Sequence, residues 1–221
     1  MRTDELIQRL GNDLAPVRPL APPRTRAAVW LLCAATYVVA VAGVAWVRHG
    51  LEGVSAEPQY VAQQLALVAM GITAAAAAFA SVVPGMNRRL LAVPLVPAAV
   101  VMLTLLTGCL RDLQQRGTLG FGVETDWPCV ASIAVGGLAL WGVALVMLRR
   151  GAPLAARTTS TLAALAALGA VNVEACLTRP HLFSLTVVLW HGLTIAVLVA
   201  VLAHVGPRLF TWRVLDTSSG V

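Results

Sequence analysis

Residues 27–47 read AAVWLLCAATYVVAVAGVAWV, with no Asp, Glu, Lys or Arg among them. A helix rises about 1.5 Å per residue, so a run of this length crosses a hydrocarbon layer of about 30 Å. Five more apolar runs follow, at residues 61–83, 90–110, 128–148, 159–177 and 182–205. Across all six runs the only Asp, Glu, Lys or Arg is Glu174. Backbone groups in a bilayer have no water partner, so each run must satisfy its own backbone as a helix. The composition agrees: 58% of residues are hydrophobic and only 12% are charged, whereas a soluble domain is nearer a quarter charged. A soluble all-helical protein is excluded, because helices apolar on every face leave no polar shell. Disorder is excluded by the same apolarity. The expected fold is an all-α polytopic membrane protein, a bundle of six transmembrane helices preceded by a short amphipathic helix.

Charge placement predicts the orientation. All sixteen basic side chains are arginine. Twelve fall before the first run, between the second and third, between the fourth and fifth, or after the sixth, and four fall in the alternate connections. The positive-inside rule then places both termini in the cytoplasm of an inner membrane. The net charge of +6 marks membrane edges on this reading, and no direct nucleic-acid binding is expected. The first run is not a cleaved signal, since it starts after 26 residues and no small-residue cleavage motif follows it. Trp30, Trp46, Tyr60, Trp127 and Trp212 are expected at the interfaces, and Trp141 and Trp190 inside the bundle. Pro94 and Pro97 should kink or delay the third span. Three regions result: a head at 1–26, the bundle at 27–205 and a tail at 206–221.

Within the head, residues 3–14 predict a helix whose Leu6, Ile7, Leu10 and Leu14 share one face. Asp4 and Glu5 sit in its first turn, where carboxylates suit the helix dipole. Pro16, Pro19, Pro22 and Pro23 make residues 15–26 a semi-rigid, extended spacer whose arginines suit anionic headgroups. The apolar face fits either a lipid surface or a groove on a partner protein. Asp4, Glu5 and Asp13 favour the protein, because anionic lipid repels them.

At the opposite, outer face the chain brings Cys109, Cys129 and Cys176 near the surface, while Cys33 reads as packing inside the first span. Cys129 and Cys176 are expected to be the best-exposed pair. Cys129 follows Asp126, Trp127 and Pro128 at a helix start, where a thiolate is stabilised. Cys176 precedes Arg179 and His181. The pair suits a structural disulfide or reactive thiols, and Cys129, Cys176 and His181 could share a soft metal. Inside the spans, Glu174, Asn172 and His191 are the polar residues of interest. With no paired intramembrane histidines for haem, no Walker motif and no catalytic Ser or Cys constellation, neither a cofactor nor an enzymatic activity is expected.

Met1 to Ile7, Asp13 to Leu20, Pro22-Pro23, Asp126-Trp127-Pro128-Cys129, Arg149 to Leu154 and Trp190-His191 carry a resemblance over essentially the whole chain. In their order and spacing they resemble the NrsF-type family of multi-pass inner-membrane anti-sigma factors. The resemblance implies that the N-terminal segment, through Asp4, Glu5, Leu6, Ile7, Leu10, Asp13 and Leu14, sequesters an extracytoplasmic-function sigma factor. It further implies release under envelope, metal or oxidative stress, with Cys129 and Cys176 as the sensing thiols. Two other classes remain as alternatives: a membrane thiol oxidoreductase using the outer cysteines, His191 and a quinone, and a small transporter lined by Glu174, Asn172 and His191.

Overall fold

A computed structural model describes residues 3–12, 20–49, 57–117, 127–151, 153, 155–178, 185 and 187–210. All described secondary structure is helical. The helices are α1 (Thr3–Asn12), α2 (Pro23–His49), α3 (Pro58–Ala80), α4 (Leu95–Arg116), α5 (Trp127–Arg149), α6 (Ala156–Thr178) and α7 (Leu193–Leu209). A 3₁₀ turn at Arg88–Ala92 precedes α4, and a π-turn at Val187–Gly192 leads into α7. Among the described residues, five helical stretches are long and apolar enough to cross a membrane: Pro23–Val47, Pro58–Ala80, Arg88–Gln115, Trp127–Arg149 and Val188–Leu209. The other expected span is α6, the one whose apolar run carries a carboxylate, Glu174.

Local chemistry sets the helix ends. Pro58 begins α3, where its missing N–H costs nothing. The side chain of Asn87 accepts a hydrogen bond from the Arg89 N–H at 3.0 Å and caps the 3₁₀ turn. The prolines delay the third span as expected: Pro94 sits at its N-cap and the helix proper starts at Leu95. Gly117 closes α4 at φ 65°, and its N–H donates to the Leu113 carbonyl. A residue with a Cβ is strained in that left-handed conformation.

Successive spans alternate in direction. The starts of α2 and α6 and the ends of α3, α5 and α7 meet at one end of the bundle. There the hydroxyls of Ser81 and Thr159 are 2.7 Å apart, and Arg149 Nε donates to the Leu209 carbonyl at 2.7 Å. At the opposite end Arg111 pairs with Glu57 at 2.9 Å, an exposed ion pair that contributes little.

α6 is the central stave, packed on α2, α3, α5 and α7, whereas α4 rests chiefly on α3. Small residues make the centre possible. Ala163, Ala164, Ala166 and Ala167 of α6 meet Ala74, Ala75, Ala77 and Ala78 of α3 in one buried cluster, which lets backbones approach closely. At the α6–α7 crossing a Cβ on Gly206 would collide with the Ser160 hydroxyl, and that hydroxyl donates to the Leu202 carbonyl at 2.7 Å.

Four expectations change. The extended spacer ends at Pro22, because Pro23 to Arg26 already form the first turn of α2, with Thr25 and Arg26 N–H groups on the Pro22 carbonyl. Arg26 is consequently buried rather than presented to headgroups. Trp30 is a core residue, not an interfacial one. Its ring is fully buried and its Nε1–H donates to the Leu140 carbonyl of α5 at 3.1 Å. Cys33 is exposed on the outside of α2, so it does not pack in the core. Trp141 is buried as expected.

Candidate functional site

α1 carries the first candidate. Ten residues long, it runs through Asp4 and Glu5 in its first turn. Ile7 is 63% exposed, and Thr3, Asp4, Glu5, Gln8 and Gly11 are exposed with it. Leu6 and Leu10 lie on this helix by sequence, but their side chains fall outside the described residues, as do Asp13 and Leu14 entirely. A marginal helix of this length needs a surface to hold it, and an exposed isoleucine beside two carboxylates suits a protein surface better than an anionic bilayer.

Where α2 begins, Arg26 joins three helices. A guanidinium N–H donates to the Met147 carbonyl of α5, and the charge lies 5.4 Å above the ring of Phe79 in α3. An Arg on an aromatic face is held by the ring quadrupole. This clasp ties the start of α2 to α3 and α5. Sequence reading missed it. The available signal was Pro22-Pro23, which marks a helix start and therefore moves Arg26 into the helix.

A polar seam occupies the other half. Glu174 of α6 is buried, and Ser132 of α5 donates to its Oε2 at 3.2 Å. Tyr37 of α2 turns its hydroxyl to the same stretch of α5, against Gly136 and near Ser132. Tyr37 needs Gly136 opposite it, since a Cβ there would strike its hydroxyl. Three helices thus meet at one intramembrane carboxylate. Tyr37 and Ser132 were invisible as partners in the sequence, because a lone hydroxyl on an apolar helix has no periodic signature.

Asn172 and His191, both buried, line a separate cleft of about 270 Å³ between α3, α4, α6 and α7. His191 lies in the π-turn, a geometry frequent at functional sites. Trp190 of the same turn meets Trp127 of α5, ring centroids 5.7 Å apart. Glu174 and His191 were singled out together from the sequence, but the structure assigns them to different surroundings: the carboxylate to the Tyr37–Ser132 seam, the imidazole to the cleft.

The outer cysteines differ from expectation. Cys129 is only 4% exposed, because the first turn of α5 turns it into the bundle while Trp127 stays outside. The side chain of Cys176 and the whole of His181 lie outside the described residues. Among the described residues no group of three His, Cys, Asp or Glu side chains is placed to hold a metal.

An all-helical bundle with stretches able to cross a membrane, preceded by a short helix with an exposed apolar residue, defines a polytopic protein with a separate N-terminal head. The chain belongs to the NrsF family, negative regulators of sigma F, whose pattern matches residues 10–212. Its partner class is therefore a sigma factor. No curated protein and no solved structure matches the chain.

Proposed function

We propose that this negative regulator is an anti-sigma factor of the inner membrane that holds an extracytoplasmic-function sigma factor at its cytoplasmic head. α1 offers Ile7 to a groove of the sigma factor, joined by Leu6, Leu10 and Leu14, which the sequence spaces at helical intervals, and Asp4, Glu5 and Asp13 match basic groups at the rim. Both termini are cytoplasmic on the arginine bias. The observation that carries the reading is an exposed Ile7 on an amphipathic helix ahead of a membrane bundle, in a chain whose family restrains sigma factors.

Release follows a metal or oxidant signal in the envelope. Cys129 and Cys176 are the proposed sensing thiols, and the bundle is the two-state element between sensor and head. A signal shifts such an element only through free energy that differs between its states. The burial of Cys129 fits a thiol that reacts only when the outer end opens.

Co-purification from membranes tests the head. Ile7→Asp and Leu10→Asp in the full-length chain should each lower recovery of the sigma factor by about tenfold or more, at unchanged levels of the regulator. Equal recovery from wild type and both variants would remove α1 from the interface. Reporter induction in Cys129→Ser and Cys176→Ser strains tests the sensor separately. A normal stress response in both eliminates the thiols and leaves the head untouched.

A further inference from the structure

The cleft between α4 and α7 holds a polar group that the fold leaves unused. Asn172 is 5% exposed, and its Oδ1 is buried with no hydrogen-bond partner among the described residues. An amide oxygen removed from water without a partner is destabilising, and α6 carries this one into a cleft lined mostly by apolar side chains. The cleft measures about 270 Å³; its polar lining is Gln63, Asn172 and His191, and the rest is hydrocarbon and thioether, with Met70, Ala98 and Met102 among it. An engineered apolar cavity of about 150 Å³ takes up benzene, so this space admits an aromatic ring bearing a few further carbons.

Its mouth lies between α4 and α7, where Met102 and Ala196 are exposed. That outer surface faces the hydrocarbon when the bundle spans a bilayer, so a ligand arrives from the lipid and not from water. The π-turn at Val187–Gly192 widens the backbone there and sets His191 and Gly192 in the wall.

We infer that this cleft is a binding site for a neutral, lipid-soluble molecule carrying a hydroxyl group, such as a phenol or alcohol of alkylphenol size, whose O–H donates to Asn172 Oδ1. No Asp, Glu, Lys or Arg lines the cleft, which disfavours ionic ligands, and a plain hydrocarbon tail would leave the amide oxygen unpaired. The site is independent of the α1 interface and goes beyond sigma-factor restraint.

The test uses the full-length protein in lipid nanodiscs, with calorimetric titration of 4-propylphenol and of its methyl ether, 4-propylanisole. Heats are corrected against empty nanodiscs and affinities referred to probe concentration in the bilayer. The phenol should bind saturably and about tenfold tighter than the ether, the ratio expected for one buried hydrogen bond. Asn172→Leu should bring the ratio close to one, and Ala98→Leu, which fills the cleft from the α4 wall, should weaken both probes. Equal affinity of the two probes for wild type would reduce the cleft to a void for acyl chains and overturn the proposal. So would the absence of saturable phenol binding, or unchanged binding in Ala98→Leu. The wild-type comparison decides the matter even if Asn172→Leu does not fold.

Discussion

α6 opens with Arg157, Thr158, Thr159 and Ser160 and carries Asn172 and Glu174, yet it is the stave around which α2, α3, α5 and α7 assemble. α4 is nearly as long and far more apolar along its membrane stretch, yet it sits at the periphery on α3, with Leu103 60% exposed and Val96, Met102 and Leu106 exposed beside it. In water the two helices would exchange places. In lipid, tails are as apolar as leucine, so burying leucine gains little and helices associate through close backbone approach and interhelical hydrogen bonds. Alanine, glycine, serine and threonine therefore mark the closest helix contacts, at α3–α6 and α6–α7, while the outward side of α4 is leucine, valine and methionine.

That contrast can be broken most severely at the α6–α7 crossing. Gly206→Leu places a side chain where the Ser160 hydroxyl lies and should cost about 3 kcal/mol or more, read as unfolding in mixed detergent micelles. Retained stability would mean that the crossing is loose. Next comes the clasp. Arg26→Ala removes both the Met147 hydrogen bond and the Phe79 contact, a loss of about 2 kcal/mol. Arg26→Lys should recover part of it, because an ammonium keeps the cation over the ring.

Trp30→Phe keeps an aromatic ring but deletes the hydrogen bond to the Leu140 carbonyl and leaves a small void at a fully buried site, so about 1–2 kcal/mol is expected by the same assay. On the outer helix, Leu103→Ala exchanges one lipid-facing side chain for another and should change stability by no more than about 0.5 kcal/mol. A large effect there would show that α4 is covered by something other than lipid. Taken in this order, the four positions measure how steeply the energetics fall from the centre of the bundle to its rim.

The sequence showed six runs, their limits within a few residues, the alternation that gathers arginines at one end, and the proline delay before α4. It also showed α1, because an amphipathic period survives in a single chain. It misplaced Trp30 and Cys33 for one reason. A span that is apolar on all faces carries no moment strong enough to say which side faces protein, so an aromatic near its end looks interfacial and a cysteine in its middle looks buried. The Glu174 surroundings were half legible: the carboxylate stood out by its rarity, while Tyr37, Ser132 and Gly136 gave no sign of converging on it.

What the chain by itself settled is which segments leave water, since about twenty consecutive apolar residues admit one solution in a bilayer. What the tertiary structure decided is which of those segments goes to the middle and which polar atoms meet there. That choice depends on how closely a glycine of one helix meets a side chain of the next, at Gly206 against Ser160 and Gly136 against Tyr37. Such complementarity belongs to pairs of helices, so no single run of residues expresses it.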